Sequence, residues 1–221
     1  MIKEKPIIFS SESINAILEG RKTQTRRVVK YQPPENYHII GRITSSTNSK
    51  NEGCVCWESD NGRVSHYCKI PRDVGDILWV RETWSQLDMD YRVVTGKLDI
   101  DDFEGCPIVY RADDNPEHFN YWRPSIYMPR KAARLFLKVT NIRAERLQII
   151  TEEDARSEGC IDFHDKIGDG KFDDVAEFDL TARDAFSELW DNLNKKRGYG
   201  WGLNPWVYVL EFEKISEPIG Q

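Results

Sequence analysis

The chain has 221 residues, 39% of them hydrophobic and 31% charged, with a formal net charge of −6. That length and apolar content suit one globular domain with its own core and exclude a disordered chain, while the net acidity excludes a protein that coats nucleic acid by bulk electrostatics. The longest apolar runs, such as Trp206–Leu210, are far too short to cross a bilayer, and the opening MIKEKPIIFSSES lacks an apolar core followed by small residues, so a cytoplasmic setting without membrane partners is expected.

In chain order, Lys5–Ser10 reads as a short buried strand. Ser10 or Ser11 caps a helix whose apolar stripe is Ile14, Ile17 and Leu18, and Gly20 supplies the left-handed stop. Between Gly20 and Pro34 there is no acidic residue, yet Arg21, Lys22, Arg26, Arg27 and Lys30 all fall there. Two further basic islands are Arg123 to Lys138, with Arg130, Lys131 and Arg134, and Lys195–Arg197. Islands of this kind on an acidic body suit a local site for an anion or polar ligand; a solvated face is the plain alternative.

Residues 39–69 read as a polar loop and a hairpin turning at Asp60–Asn61–Gly62. Cys54, Cys56, His66 and Cys68 flank that turn and are zinc ligands in kind. A two-residue turn pairs Trp57 with His66, however, and then Cys54 and Cys56 point away from His66 and Cys68, which favours half-buried thiols over metal. The remaining cysteines are Cys106 and Cys160, and all five are expected to be reduced.

A strand is expected over Ile77–Val80, leading into Arg81–Glu82–Thr83–Trp84. The acidic, irregular stretch Ser85–Asn120 reads as an insertion with one strand at Ile108–Arg111. Ala133–Val139 and Ile142–Leu147 are strand material. Thr151 opens a short helix, TEEDARSEG, with Asp154 as capping partner and Gly159 as stop. Asp162–Asp179 is a charged loop; its Asp165-x-x-x-Asp169-Gly170 echoes a calcium loop but has Ile167 and Ala176 where oxygen ligands belong. The clearest amphipathic helix is Ala182–Asn194, with Ala185, Phe186, Leu189, Trp190 and Leu193 on its stripe. A glycine- and aromatic-rich turn, Gly198–Pro205, precedes a closing strand, Trp206–Phe212. Strands dominate without βαβ alternation, so a mixed α+β fold with a small barrel-like sheet is expected. Nucleotide-loop, dinucleotide, zincin and hydrolase-elbow motifs are absent.

The segment Gly20-Arg21-Lys22-Thr23-Gln24-Thr25-Arg26-Arg27 holds a hydroxyl nucleophile, Thr25, and a candidate base, Lys22. A free lysine titrates at about 10.4, so a lysine base at neutral pH needs a drop of about three pH units, about 4 kcal/mol. Burial and like charges push in that direction. In a regular strand, residues three apart face opposite sides, so Lys22 and Thr25 share a pocket only where the alternation is broken.

Gly20-x-Lys22-x-x-Thr25-x-Arg27 resembles the signature of the ASCH family of PUA-like β-barrels, in which glutamate more often stands at the place of Thr25. The stretches GDILWVRETW, RPSIYMPRKAARLFLKVTNIRAERLQIITEEDA and NPWVYVLEFE resemble the larger ASCH proteins of phages and prophages. The resemblance implies a single ASCH domain over 1–221, a barrel with flanking helices, a hairpin insertion at about 45–70 and an irregular insertion at about 85–120. Small bacterial members of the family are described as amidohydrolases that remove acetyl from N(4)-acetylcytidine. By that resemblance Lys22 is the proton acceptor, Thr25 the nucleophile and Glu158 the proton donor, with no metal or organic cofactor. A carboxyl in the last turn of a helix lies at the negative end of the dipole, which suits a proton donor. Arg21, Arg26, Arg27, Glu82, Arg130, Tyr199 and Trp201 are the expected substrate contacts, aromatic faces being suited to stacking a base. The implied partner is a modified nucleoside or RNA; a binding module without chemistry is the alternative.

Overall fold

A computed structural model describes residues 3–43, 49–86, 108–113, 122–161 and 181–218. The insertion's span 87–107, the rest of it from 114, and the charged loop 162–180 lie outside the described residues. The class is α+β, with more strand than helix.

The chain divides into two compact units. One holds Met1–Gly20, Asp76–Lys138 and Glu213–Gln221; the other holds Arg21–Gly75 and Val139–Phe212. In the first unit β1 (Glu4–Ile8) runs parallel to β6 (Ile77–Arg81), Ile7 opposite Val80. A parallel pair needs a long crossover, which here is the whole of the second unit's first segment. Of the five residues of β1 only Ile7 is buried, so the strand is more exposed than its apolar sequence suggests. Between them in sequence, α1 (Ser11–Leu18) is capped by Ser10, whose Oγ accepts from Ser13 N. Ile14 and Ile17 are buried, whereas Leu18 is exposed. Short strands β7 (Trp84–Gln86) and β8 (Ile108–Tyr110) pair antiparallel, and Trp79, Trp84, Met128 and Phe136 form this unit's core.

The two expected strands over 133–147 are one, β9 (Phe136–Arg146). Its first three residues pair with β6, giving the order β1-β6-β9 in the first unit. Its remainder belongs to the second unit, where the order is β9-β10-β2, with β2 at Gln24–Val28 and β10 at Trp206–Ile215. Antiparallel register sets Tyr208 opposite Arg27 and Leu210 opposite Thr25. Strand alternation then sorts the side chains onto two faces. Gln24, Arg26, Val28 and Val207 look toward α2 (Glu152–Ser157) and α3 (Ala182–Asn194), where Ala155, Phe186 and Trp190 are buried. Thr25, Arg27, Val29, Trp206 and Tyr208 take the other face, where Val29 and Trp206 pack with Val55, Trp57, Cys68 and Ile70.

Those last four belong to, or directly follow, a three-stranded antiparallel sheet of β3 (Tyr37–Arg42), β4 (Cys54–Ser59) and β5 (Val64–Lys69). The hairpin loop has three residues, Asp60–Gly62, closed by Ser59 N to Arg63 O at 3.1 Å, with Gly62 at φ 74°. A bulge after Val64 offsets the longer loop, so Trp57 still faces His66 and Val55 faces Cys68. Cys54 and Cys56 therefore occupy the opposite face; Cys56 Sγ lies 3.3 Å from Gly41 O, and the described cysteines Cys54, Cys56, Cys68 and Cys160 are free thiols. Among the described residues the sheets form no closed barrel, and no helix is long and apolar enough to cross a membrane.

On α3, Thr181 and Asp184 form the reciprocal capping box. The buried stripe is Ala182, Phe186, Trp190 and Asn194, so the expected face is rotated: Leu189 and Leu193 are exposed.

Candidate active site

The basic segment meets the end of α2 inside the second unit. Gly20, at φ 79°, lets the chain turn out of α1. Thr23 N then donates to Ser157 O and Phe212 N donates to Thr23 O, both at 2.9 Å. Lys22 stands two residues ahead of β2 and continues the face of Gln24 and Arg26, reaching the same carboxylate as Arg26. Its Nζ donates to Glu158 Oε2 at 2.9 Å and also to the Glu158 carbonyl. Arg21 Nη1 donates to Gly159 O at 3.0 Å. Two cations thus meet the carbonyls at the close of α2, where helix geometry leaves acceptors without partners and the dipole is negative. Gly159, at φ 91°, turns the chain away after Glu158. The side chains of Lys22 and Glu158 are each only 4% exposed.

Glu158 is shared. Arg26 Nη1 donates to its Oε1 at 3.1 Å, while Arg26 Nη2 donates to Glu145 Oε1 at 2.7 Å and to Asp154 Oδ2 at 2.9 Å. The Arg26 side chain has no exposed surface. Beyond it Arg143 bonds Glu145, Asp154 and Glu211. Gln24 Nε2 donates to Asp154 O at 2.8 Å and to Asp154 Oδ1 at 3.0 Å. Burial works to raise the Asp154 pKa, but the Gln24 bond and the charges of Arg26 and Arg143 outweigh it and hold the carboxyl below its ordinary range. Lys22, Arg26 and Arg143 with Glu145, Asp154, Glu158 and Glu211 make one continuous array of three cations and four carboxylates.

Thr25 is buried and lies on the other face of β2 from Arg26. Among the described residues no hydrogen bond joins its hydroxyl to Lys22 or Glu158. Arg27 shares that face, partly buried and opposite Tyr208. Tyr199 and Trp201 sit at the end of α3: the Tyr199 carbonyl accepts from Trp190 Nε1 at 2.7 Å. Trp201 stands edge-on to Phe186 and carries the Arg183 guanidinium over its ring at 5.1 Å. The Trp201 ring is thereby engaged in the packing of α3, which Tyr199 joins through its backbone.

Glu82 and Arg130 belong to the first unit. Glu82 is 2% exposed and receives two bonds of 2.9 Å from Arg134, whose guanidinium also bonds Asp113 and lies over the Tyr110 ring. Burial is the largest influence on Glu82 and raises its pKa against the lowering effect of Arg134. Arg130 is held by Glu4 and Glu217, each at 2.7 Å.

A polar cleft of about 350 Å³ opens beside the array, lined by Thr23, Gln24, Asp154, Ser157, Glu211 and Phe212 among others. Lys22 and Glu158 are not in its lining but are the chain neighbours of Thr23 and Ser157. Gln24, Arg143, Glu145 and Asp154 were not among the expected site residues. The available signal was the even-numbered alternation Lys22, Gln24, Arg26 beside an acidic helix start, a pattern that puts complementary charge on one face. Among the described residues no group of three or more His, Cys, Asp or Glu side chains is arranged to hold a metal ion. No protein-family profile, characterised protein or solved structure matches the chain.

Proposed function

We propose that the second unit is an amidohydrolase that removes an acyl group from the exocyclic amine of a modified cytidine, N(4)-acetylcytidine or a relative, on an ASCH, PUA-like scaffold. The observation that carries this reading is the Lys22–Glu158 pair, 2.9 Å apart and almost fully buried. A buried ion pair is a weak source of stability, because desolvation consumes most of the attraction. Its retention beside a polar cleft favours a chemical use. Moving one proton from Lys22 Nζ to Glu158 Oε2 turns ammonium and carboxylate into amine and carboxylic acid, a base and an acid together. The surrounding array, with one carboxylate more than it has cations, accommodates an additional proton without net charge.

In the reaction Lys22 takes the proton of an attacking water as an O–C bond forms at the acyl carbon. The C–N bond then breaks and Glu158 delivers its proton to the departing amine. The cleft volume is within the range of small-molecule sites, which begins at about 300 Å³. Incubation with N(4)-acetylcytidine and chromatography for cytidine tests the reading. No product above background, or full activity in Lys22→Ala, overturns it.

A second reading, a module that holds RNA or a modified base without chemistry, is favoured by the exposed Arg21 at the end of α2. It requires affinity that falls with salt and survives Thr25→Ala.

A further inference from the structure

The basic island Arg123 to Lys138 lies in the first unit and takes no part in the site at α2. Ion pairs absorb three of its members. Arg130 is held by Glu4 and Glu217, Arg134 by Glu82 and Asp113, and Lys138 Nζ lies 3.2 Å from Glu213 Oε1. Arg123 differs: among the described residues its ties are to Trp84 and to no carboxylate. Its backbone N donates to Trp84 O at 2.8 Å, its carbonyl accepts from Trp84 N at 3.3 Å, and its guanidinium lies 5.0 Å from the Trp84 ring centroid. Arg81, at the end of β6, is placed in the same manner. Its guanidinium lies 4.6 Å from the Trp79 ring centroid, and its Nη1 donates to Ile126 O at 3.1 Å.

The two ties, Trp84 to Arg123 and Arg81 to Ile126, sit three residues apart on each segment and in opposite senses, so residues 81–84 and 123–126 lie side by side, antiparallel. Three residues span at most about 11 Å of chain, so both arginines flank one short strip. A third tie fixes it from below: the sulfur of Met128, 1% exposed, accepts the Glu82 N–H at 3.2 Å, and Trp79, Trp84 and Met128 share one core cluster. What this fixed strip displays is the single 3-10 turn Ser125–Tyr127, on which Ile126 is 57% and Tyr127 72% exposed. A guanidinium laid on an indole is held in place yet keeps in-plane N–H donors for a phosphate. An aromatic face stacks on any base while arginines follow the backbone, the combination that holds single-stranded nucleic acid without reading its sequence. An acidic peptide engages the arginines but offers the Tyr127 ring no flat partner.

We propose that Arg81, Arg123 and Tyr127 form a docking strip for single-stranded nucleic acid, with Tyr127 stacking a base and the two guanidiniums pairing phosphates on either side. The strip lies wholly in the first unit, so it stands or falls apart from the hydrolase reading. Fluorescence anisotropy tests it on the full chain, with labelled oligouridylate RNA of about ten nucleotides and the matching oligothymidylate DNA, at low and moderate salt. Binding is expected to weaken as salt rises. Tyr127→Ala is expected to weaken it at least about fivefold and Tyr127→Phe to keep it, since stacking needs the ring and not the hydroxyl. Arg123→Gln, checked for folding by circular dichroism, is expected to cost a similar factor and to lower the slope of log affinity against log salt by about 0.7. Lys22→Ala is expected to bind as the wild type does. A preference for the RNA adds contact with the 2′-hydroxyl, and equal affinity for both strands leaves stacking and phosphate pairing alone; either upholds the strip. No binding at low salt overturns the proposal, as does an affinity unchanged in both Tyr127→Ala and Arg123→Gln. Binding lost in Arg21→Gln but kept in those two variants moves the nucleic acid to the end of α2 and overturns it as well. So does tighter binding of oligoglutamate than of either strand, which identifies an acidic protein partner instead.

Discussion

Replacing Arg26 by methionine removes the cation that three carboxylates share. Glu145, Asp154 and Glu158 approach its two terminal nitrogens at 2.7, 2.9 and 3.1 Å, and the side chain is wholly buried. Each charge-assisted bond is worth about 1.5–3 kcal/mol, but methionine also avoids the cost of burying a guanidinium. Removing one partner of a buried ionic group costs about 3–5 kcal/mol, and Lys22 and Arg143 still neutralise part of the set, so we expect a loss of about 4 kcal/mol. That is a large share of the roughly 5–15 kcal/mol that holds a typical chain folded. With a urea slope of about 2 kcal/mol per molar, the midpoint falls by about 2 M at an unchanged slope. Crowded carboxylates that lose their cation prefer their protons in the fold, so the variant recovers part of the deficit as pH falls from about 7 toward 5. Arg26→Lys, which keeps the charge without the fork, is expected to fall between. A loss below about 1 kcal/mol, or a deficit independent of pH, refutes the reasoning by showing the array to be screened by water.

Lys22→Ala is expected to lower kcat on N(4)-acetylcytidine by at least about a hundredfold, the usual worth of a positioned proton acceptor, as followed by cytidine release. Asp154, held below its ordinary range, contributes stability that is present above about pH 4 and lost as pH falls through the folded value, so Asp154→Asn should flatten the acid limb of urea midpoints. Glu82 has the opposite sign: its raised folded pKa makes the wild type gain stability as pH falls through that value and lose it as pH rises. Glu82→Gln should abolish that slope, measured by urea midpoints between about pH 4 and 7. Phe186→Ala is expected to cost about 3–5 kcal/mol in thermal or urea unfolding, and Leu193→Ala less than about 0.5 kcal/mol, since one is buried and the other is 60% exposed. Equal losses would return the buried face of α3 to the Leu189–Leu193 side.

Elements specified by neighbours in sequence were legible: the Ser10 and Thr151 caps, the Gly20 and Gly159 stops, and the helix Ala182–Asn194 to the residue. The rotation of α3 was not, because its apolar arc is wider than the surface it packs on, and periodicity alone does not choose between Phe186–Trp190 and Leu189–Leu193. Trp57 met His66 as expected, though through a longer loop and a bulge whose effects offset each other. The parallel partnership of β1 with β6 depends on residues some 70 positions apart and leaves no local mark. At the site, Lys22 and Glu158 meet across 136 positions, a pairing that no local pattern in the sequence marks. The carboxylates around Arg26 were hidden because Asp154 reads as the capping partner of Thr151 and Glu145 as one residue of a strand, and only tertiary packing brings both to Arg26. Thr25 falls on the far side of β2 from Arg26, where strict alternation puts it.

The chain passes from one compact unit to the other four times, so neither unit is a contiguous stretch of sequence. A protease nick or a genetic truncation therefore cannot release an intact half, and both halves must wait for distant segments before either can close. Such long-range closure predicts slow, strongly coupled folding, with unpaired edges exposed meanwhile. Synthesis of the piece 21–75 with 139–212, joined by a short linker, is the route to an isolated hydrolase candidate; cutting at any single peptide bond is not.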